Sequence, residues 1–253
     1  MIIIPMAGRS SRFSEAGYSV PKYRLEVYGT PVFDLVVASF RDYFETESFL
    51  FITRDETNTV EFVESRLKRF SLNYQIVSLK EESRGQADTV YKGLCKSQIS
   101  ENEPITIFNI DTIRPQCKIP WDTGSIGAGY LEVFKGIGDS WSFVAPNEER
   151  QGVALKVIEK VRISDLCSTG LYYFHSKAIF DEAFKAELRR LKGEKSELYV
   201  APLYNHLITQ GLEVTYKEIS AEDIILCGVP KEYEALLRDS DFSTKLKKRL
   251  DLI

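Results

Sequence analysis

A short segment near the amino terminus carries residue types that suit phosphate binding. Ala7-Gly8-Arg9-Ser10-Ser11-Arg12 follows the apolar run 2–6, and its small residues let backbone N–H groups approach anionic oxygens closely. The Arg12 guanidinium adds a planar fork of donors that matches a phosphate group. The segment fits neither the Rossmann dinucleotide pattern nor the Walker phosphate loop. It therefore indicates a phosphate ligand, with an ordinary polar turn as the alternative.

Three further segments offer a charge or paired hydrogen-bonding groups. Pro21-Lys22 places a compact ammonium on a stiffened loop. Gln86, within Gly85-Gln86-Ala87-Asp88, has both a donor and an acceptor, as the edge of a nucleobase requires. Asp111 ends Asn109-Ile110-Asp111 and supplies the hard oxygen ligand that Mg²⁺ requires on nucleotide phosphates. Taken singly, a glycine-initiated helix and a turn-forming aspartate are the alternatives for the last two segments.

Apolar runs that alternate with amphipathic stretches must position these residues. The hydrophobic pattern of the first half predicts strands at 2–6, 49–53, 74–79 and 105–110, and helices at 31–44, 57–70 and 87–95. Strands that alternate with helices of this length predict βαβ crossovers and a mostly parallel sheet. The phosphate segment then lies at the carboxyl end of a parallel strand, where such sheets bind ligands.

The second half of the chain has a different pattern. It predicts strands at 127–135, 141–146, 153–160, 171–175, 213–219 and 224–226, and helices at 177–191, 198–210 and from residue 230 onward. The basic tail 245–249 is expected to be a solvated helix face. The whole chain is therefore predicted to be one α/β domain, 1–253, with a central mostly parallel mixed sheet flanked by helices and an antiparallel extension.

Composition excludes several classes of protein. The 253 residues include 33 Lys and Arg against 37 Asp and Glu, a net charge of −4, which argues against a general nucleic-acid binder. No apolar run approaches the roughly 20 residues that span a bilayer. Four cysteines without a CxxC pair and two histidines make a disulfide scaffold, a zinc ribbon and a histidine-rich metal site poor interpretations. We expect a cytoplasmic protein.

Taken together, these segments resemble the sugar-nucleotidyltransferase superfamily, whose members have a GT-A-like α/β fold. Those enzymes open with an apolar strand, an A-G-x-G-S/T-R loop and a later P-K pair. The resemblance implies that Arg12 and Lys22 are catalytic, clasping a triphosphate and stabilising charge on the reacting phosphorus. It implies that the nucleotide is bound by Ala7, Gly8, Arg9, Ser10, Ser11, Gly85, Gln86 and Ala87, and that Asp111 binds Mg²⁺.

Later segments extend the resemblance along most of the chain. Glu159-Lys160 resembles the family's E-K pair, 168–174 resembles the strand that lines the acceptor pocket, and Glu197-Leu198-Tyr199 resembles the helix start beside it. The resemblance divides the domain into a nucleotide-binding half, 1–115, and an acceptor-binding half, 116–253. Its acceptor-binding residues would be Lys160, Thr169, Gly170, Tyr172 and Glu197.

Two positions depart from the family pattern. Ser10 stands where a second glycine is usual, which is acceptable if its φ angle is negative. Leu226 stands where some members have a second metal-binding aspartate. Glu222 or Asp223 could replace that aspartate only if the register of the strand shifts. The pattern therefore supports one metal ligand and leaves the second in question.

The resemblance implies an enzyme that joins a nucleoside triphosphate to a phosphorylated small molecule and releases pyrophosphate, with Mg²⁺ as cofactor. The chain looks most like the cytidylyltransferases that activate phosphocholine or phosphoglutamine for capsule or surface polysaccharides. A pocket edged by Tyr172, Tyr173, Glu197 and Lys160 suits a phosphate at one end and a cationic group at the other. CTP is therefore the expected nucleotide. No nucleic acid or membrane partner is expected, and either a monomer or a homo-oligomer agrees with the sequence.

Three alternatives stay open at this point. The first is a hexose 1-phosphate nucleotidyltransferase that uses UTP or dTTP. The second is a GT-A glycosyltransferase, because Asn109-Ile110-Asp111 imitates a D-x-D metal motif. The third is a non-catalytic nucleotide sensor, because Leu226 removes a potential metal ligand.

Overall fold

Thirteen strands and seven α-helices make up the part of the chain that the computed structural model describes, residues 1–56, 58–120, 127–194, 196–238, 246 and 250. The strands are β1 Ile2–Pro5, β2 Glu26–Val27, β3 Thr30–Pro31, β4 Ser48–Arg54, β5 Asn73–Leu79, β6 Ile105–Phe108, β7 Thr112–Ile113, β8 Gly129–Lys135, β9 Ser142–Pro146, β10 Ala154–Glu159, β11 Leu166–Phe174, β12 Val214–Glu218 and β13 Ile225–Leu226. The helices are α1 Ser11–Glu15, α2 Val32–Ala38, α3 Thr59–Leu67, α4 Gln86–Lys96, α5 Lys177–Leu191, α6 Tyr204–Thr209 and α7 Pro230–Arg238.

A nine-stranded mixed sheet forms the centre of the molecule. Its main path runs β10-β9-β11-β6-β1-β4-β5, and β8 and β12 continue from β11 on a branch. The pairs β6-β1, β1-β4 and β4-β5 are parallel. Every residue of β1 and β6 is buried, as expected for strands covered on both faces. The predicted α/β fold is confirmed.

The extension is built on β11, which pairs antiparallel with β6, β8 and β9. β10 pairs antiparallel with β9, and β12 runs parallel to β8. The extension is therefore antiparallel as predicted except for β12, which pairs parallel with β8 and makes the extension mixed. The predicted strand at 171–175 starts too late, because β11 already begins at Leu166 beside Lys135.

Two apolar layers cover the sheet. Alternation along β1 sends Ile2 and Ile4 into one layer, with Phe33 of α2 and Val63 of α3. Ile3 enters the other layer, with side chains of α4, α5 and α6 such as Val90, Phe184 and Leu207. Because the sheet is sandwiched in this way, its loops at the carboxyl ends of the parallel strands are the parts left to bind ligands.

Three predicted helices are shorter than expected: the helix at 57–70 spans only Thr59–Leu67, and the other two end or begin where distant residues bond to the chain. The helix at 31–44 ends at Ala38, where the Ser39 hydroxyl accepts a hydrogen bond from the Arg114 N–H at 3.0 Å. The helix at 198–210 begins only at Tyr204, after a 3₁₀ turn at Ala201–Leu203. Leu198 is engaged elsewhere: its N–H donates to the Arg84 carbonyl at 2.6 Å, and its carbonyl accepts from the Ala87 N–H at 2.9 Å.

Three further predictions concern the boundary within the domain, the basic tail and membrane-spanning segments. The boundary near residue 115 between a nucleotide half and an acceptor half stays a prediction. The basic tail at 245–249 lies outside the described residues except for Leu246, which is buried. Within the described ranges, no helix is long and apolar enough to cross a membrane.

Candidate active site

A cavity of about 690 Å³ opens at the carboxyl ends of β1 and β6 and extends to the antiparallel strands β9, β10 and β11. The loop after β1 and the start of α4 form one wall, and the segment 197–200 with the start of α7 contributes to the others. The cavity therefore lies where the parallel sheet meets its extension, and both parts of the chain supply its lining.

The loop after β1 turns sharply at Ser10. This residue has a φ of 52°, so the condition under which serine is readily accepted there is not met, and a left-handed backbone stands at the position of the family's second glycine. The Ser10 carbonyl accepts from the Phe13 N–H at 2.9 Å and starts α1. The Ser10 hydroxyl accepts from the Lys22 N–H at 3.3 Å. Ser10 thus connects the phosphate loop to the loop that carries Lys22.

Cationic side chains are concentrated around the loop after β1. Lys22 Nζ lies 2.5 Å from Asp111 Oδ2, and both side chains are partly buried. Arg9 forms a close, exposed ion pair with Glu82 across the cavity mouth. Within the described ranges, the Arg12 guanidinium makes no hydrogen bond or ion pair, although it lines the cavity. Arg12 is therefore available to an anionic ligand without displacing a protein partner.

Asp111 shares its surroundings with Glu232, a residue that sequence reasoning missed. A Cβ added to Gly228 would lie 3.1 Å from Asp111 Oδ2 and 3.5 Å from Glu232 Oε2, so the glycine leaves a space that both carboxylates face. Glu232 Oε2 accepts from the N–H groups of Gly228 and Val229 at 2.8 and 3.2 Å. Burial raises the pKa of Glu232, and the charge of Asp111 raises it further. The available sequence signal was the capping pattern of a glutamate two residues after Pro230.

These carboxylates fit the metal that the resemblance implies. Among the described residues, no group of three His, Cys, Asp or Glu side chains is placed to hold a metal ion. Mg²⁺ on a nucleotide needs only one or two carboxylates besides phosphate and water oxygens, which Asp111 and Glu232 can supply. Leu226 lies opposite Thr112 in β13, so the register shift that would bring in Glu222 or Asp223 does not occur.

The start of α4 lines the cavity in the same wall as the loop after β1. Gly85 has a φ of 127°, and a Cβ there would lie 2.6 Å from the Leu198 carbonyl. Only glycine therefore allows the segment 197–199 to pack against this turn. The next residue, Gln86, donates from Nε2 to Asn109 Oδ1 at 2.5 Å. Both amides line the cavity.

Carboxylates and aromatic rings define the half of the cavity formed by the extension. Glu159 contacts the Ser142 hydroxyl closely, and burial raises the pKa of its carboxyl group. Burial, together with the charge of Glu159, raises the pKa of Tyr172 to about 12. Glu197 contacts the Tyr199 hydroxyl closely at the same wall. The Trp141 side chain contributes a further aromatic surface.

Most residues assigned to the nucleotide, metal and acceptor sites line the cavity, with four exceptions: Ser11, Ala87, Lys160 and Gly170. Tyr173, which was expected at the edge of the pocket, does not line it either and is buried in the apolar layer that contains Phe33. Ala87 is buried and donates its N–H to Leu198. Gly170 lies behind Asn109, whose Nδ2 would be 2.3 Å from a Cβ at residue 170. Lys160 stacks its ammonium 4.5 Å from the centre of the Tyr199 ring and lies 3.9 Å from Glu197. The structure therefore brings the predicted nucleotide and acceptor residues together around one cavity, with these four behind or beside it.

Comparison with solved structures identifies the family. No model of a known protein family matches the chain, and no curated protein matches it. A structure of a nucleoside-diphosphate-sugar pyrophosphorylase from Vibrio cholerae RC9 is 45% identical, with a TM-score of 0.89, over 94% of this chain and 100% of that chain. This chain belongs to the same nucleotidyltransferase family.

Two more distant structures share the fold of this nucleotidyltransferase. A candidate glucose-1-phosphate thymidylyltransferase from Bacillus anthracis is 19% identical, with a TM-score of 0.73, over 97% of this chain and 98% of that chain. An inositol-1-phosphate CTP transferase from T. maritima is 15% identical, with a TM-score of 0.71, over 98% of this chain and 95% of that chain. At these identities the likeness concerns the fold alone.

Proposed function

We propose that this nucleotidyltransferase transfers the cytidylyl group of CTP to a phosphorylated small metabolite that carries a cationic or zwitterionic group. One observation carries the proposal. The cavity is lined both by the cations Arg12 and Lys22 and by carboxylates with aromatic rings, Glu159 and Tyr172 among them. The cations suit a triphosphate, and the carboxylates with the aromatic rings suit a cation attached to a phosphate. Such a product fits a precursor of a surface polysaccharide.

The proposed reaction is an in-line displacement at the α-phosphorus. A phosphate oxygen of the acceptor forms a new P–O bond, the bond from the α-phosphorus to the bridging oxygen breaks, and pyrophosphate leaves with that electron pair. The acceptor phosphate is already ionised at neutral pH, so no side chain has to remove a proton from it. Arg12 and Lys22 offset the charge that grows on the transferred group and the leaving group. For this, Lys22 must exchange its contact with Asp111 for the phosphates.

The same geometry supports a role for Mg²⁺. Asp111 and Glu232 would hold the ion, because both carboxylates face the space beside Gly228. When bound, the ion supplies charge neutralisation and orientation for the phosphates. Lys22 then has an anionic partner at both stages, Asp111 before the nucleotide binds and the triphosphate afterwards.

The wall around Glu159 supports the cationic acceptor. A cation is stabilised by aromatic faces and by a nearby carboxylate, which Trp141, Tyr172 and Glu159 offer together. Sequence analysis assigned one cationic side chain, Lys160, to the acceptor. Lys160 contacts Tyr199 at the rim of the cavity. A neutral sugar would gain hydrogen bonds here, whereas a cation would in addition be attracted by the Glu159 charge, which the protein itself, in its described part, offsets only through the Ser142 hydroxyl and the charge of Lys160.

A second candidate has its own support. The Vibrio cholerae structure, at 45% identity, is described as a nucleoside-diphosphate-sugar pyrophosphorylase. Transfer from UTP or dTTP to a hexose 1-phosphate is therefore the competing proposal. Because that likeness is to a nucleotidyltransferase, nucleotidyl transfer is favoured over the glycosyltransferase and sensor alternatives.

Pyrophosphate release separates these proposals. The purified protein is incubated with Mg²⁺, each of CTP, UTP, dTTP, ATP and GTP, and acceptors that include phosphocholine, phosphoglutamine and glucose 1-phosphate. We expect release with CTP and a cationic or zwitterionic acceptor. Release with glucose 1-phosphate and UTP or dTTP, and none with CTP, supports the second candidate. Nucleotide binding without release in any combination favours a sensor. Arg12→Ala protein serves as the control for contaminating activity.

A further inference from the structure

We propose that Ser10 is a positioning residue, whose hydroxyl group holds Lys22 against the loop after β1 even though this requires a strained backbone at Ser10. The Ser10 Oγ accepts a hydrogen bond from the Lys22 N–H at 3.3 Å. In the described ranges, the Lys22 N–H has no other acceptor. The inference rests on the proposed function, because Lys22 is one of the two cations that meet the phosphates of the nucleotide.

The loop after β1 is suited to bind an anion, on the evidence of its own backbone. Within the part of the chain that the structure describes, the N–H groups of residues 7–10 donate to no protein acceptor, and all four residues line the cavity. Successive N–H groups without partners form a site for anionic oxygens. Arg12 and Lys22 line the same cavity, so an anion on this loop is attracted by both charges.

Ser10 has a backbone conformation that glycine adopts more easily. Its φ of 52° and ψ of 34° lie in the left-handed region, which is unfavourable for a residue with a Cβ. A glycine would relieve this strain but would have no hydroxyl group to offer to the Lys22 N–H. Backbone strain of this kind persists where the surrounding structure makes use of it. The contact with Lys22 is the use that the geometry points to.

The segment that leads to Lys22 has little other support. Of residues 16–20, all are exposed except Tyr18, which is half-buried. On the other side of Lys22, the buried Tyr23 fixes the chain in the core. The hydrogen bond from Ser10 therefore secures the exposed side of the 3₁₀ turn at 22–24, and with it the backbone that carries the Lys22 ammonium.

Titrations with inorganic tripolyphosphate and Mg²⁺ test the inference. Binding is measured by calorimetry for the wild-type protein, Ser10→Gly, Ser10→Ala, Lys22→Ala and the double variant Ser10→Gly/Lys22→Ala. Both single Ser10 variants lack the hydroxyl, so each should bind about tenfold more weakly. In the double variant, the change at Ser10 should add less than twofold to the effect of Lys22→Ala, because the hydroxyl acts through Lys22. Lys22→Gln replaces Lys22→Ala in this comparison if the alanine variant binds too weakly to measure.

Thermal unfolding without ligand separates the strain from the hydroxyl group. Glycine relieves the left-handed strain and alanine retains it, so Ser10→Gly should unfold about 2–8 °C above Ser10→Ala, although both lose the same affinity. Lys192→Gly is the matched control, because Lys192 has a φ of 42° and is exposed outside the cavity. It should raise the unfolding temperature and leave tripolyphosphate binding unchanged.

The outcomes distinguish this inference from the proposed function. A loss of affinity in both Ser10 variants that disappears in the Lys22→Ala background supports the inference. It is overturned if Ser10→Gly binds within twofold of the wild-type protein, if the loss is equally large without Lys22, or if Ser10→Gly is no more stable than Ser10→Ala. Absence of pyrophosphate release would overturn the proposed function alone, because these titrations need no turnover. If the wild-type protein does not bind tripolyphosphate, both proposals fail.

Discussion

At the scale of single residues, the two cations of the site differ in whether they have a protein partner before substrate binds. Lys22 is held by Asp111, while Arg12 has no hydrogen bond or ion pair within the described part of the chain. An incoming triphosphate therefore competes with a carboxylate for Lys22 but meets Arg12 directly. Both cations are expected to matter for turnover, because the charge on the transferred phosphoryl group is greatest in the transition state.

Replacing either cation should lower turnover without unfolding the protein. We expect Arg12→Ala and Lys22→Ala each to reduce kcat by about two to three orders of magnitude, the effect of removing one transition-state charge contact. Lys68→Ala is a suitable control, since Lys68 is an exposed lysine outside the cavity. Pyrophosphate release and a urea unfolding curve are measured for each variant. Turnover near the wild-type value in a folded variant would remove that cation from the mechanism.

Asp111→Asn should abolish the response to divalent cations. The amide is a neutral and weaker ligand, so activity should stay low even at high Mg²⁺, and Mn²⁺ binding measured by electron paramagnetic resonance should weaken. Glu232→Gln should weaken Mn²⁺ binding as well, because its carboxylate faces the same space. Full activity of the wild-type protein in EDTA would reject the metal assignment.

Glu159 should make acceptor binding sensitive to acidic pH. Burial raises the pKa of its carboxyl group above the ordinary value of 4.5, so the charge that binds a cationic acceptor is lost as pH falls through that raised pKa. The KM for the acceptor should therefore rise on the acidic side in the wild-type protein. Glu159→Gln should have a higher KM at neutral pH and lack this increase, and subtracting its profile removes the titration of the substrate phosphate. Identical profiles would remove Glu159 from acceptor binding.

The raised pKa of Glu159 also affects the stability of the fold. Ionisation of this carboxyl group favours acceptor binding but disfavours folding. A carboxyl group whose pKa is higher in the folded than in the unfolded protein stabilises the fold at low pH and loses that contribution as pH rises through the folded pKa. Ionised Glu159 therefore costs folding free energy at neutral pH, which agrees with a group kept for binding.

At the scale of elements, the sequence predicted the alternation of strands and helices well, but it predicted the ends of helices near the site poorly. The helix at 177–191 was predicted with the bounds that the structure has, because its apolar pattern is a local signal. In the structure the Ser176 hydroxyl caps this helix by accepting from the Ile179 N–H. The start of the helix predicted at 198 was wrong, because Leu198 is hydrogen-bonded to Arg84 and Ala87, more than 100 residues away along the chain. Spacing and propensity contain no trace of such a contact.

The candidate site shows the same division. Arg12, Lys22, Gln86 and Asp111 were found from motifs with short spacing, and all four line the cavity. Glu232 was missed, because its approach to Asp111 depends on the antiparallel pairing of β13 with β7. Residue type and short spacing identified the first group. The capping pattern marks Glu232 as a helix-start residue, but only tertiary packing shows that it lies near Asp111.

The junction of α4 with the segment 197–199 should tolerate no side chain at residue 85. In Gly85→Ala, the positive φ and a Cβ 2.6 Å from the Leu198 carbonyl should together lower the free energy of unfolding by about 2–4 kcal/mol. Gly211→Ala is a matched control: Gly211 also has a positive φ, but a Cβ there meets nothing within 4 Å. We expect a loss of about 1–2 kcal/mol for the control. Equal losses in urea unfolding would contradict a tight junction.

At the scale of the whole molecule, a buried ion pair connects the two parts of the chain that form the cavity. Arg114 follows β7 and Glu132 lies on β8, with 3.0 Å between Arg114 Nε and Glu132 Oε1, and both side chains are buried. Burial raises the pKa of Glu132 despite the neighbouring guanidinium. The Thr169 hydroxyl, at the cavity wall, lies close enough to Glu132 to favour the ionised form of its carboxyl group and so lower its pKa. The pair therefore links the core to the lining of the site.

Removing one member of this pair should destabilise the protein strongly. Glu132→Leu leaves the Arg114 charge buried without its partner, and we expect a loss of about 3–5 kcal/mol in the free energy of unfolding. The double variant Arg114→Met/Glu132→Leu should recover most of that loss, because it leaves no buried charge. Asp42→Ala breaks the exposed pair with Lys118 and should change stability by at most about 1 kcal/mol. A loss of similar size in all three variants would show that the ion pair has no special role.

The hydrogen bonds of Leu198 have a consequence for the evolution of this enzyme. The peptide that carries Glu197 and Tyr199 is bonded on both sides of Leu198 to the turn that presents Gln86. A substitution that reshapes one segment therefore moves the other, and the two cannot diversify independently. Chimeras that exchange only 194–200 between relatives would inherit a mismatched turn at Gly85, whereas exchanging 80–90 together with 194–200 transplants a complete unit. Changes of acceptor and of nucleotide should therefore tend to arise as pairs in the history of such chains.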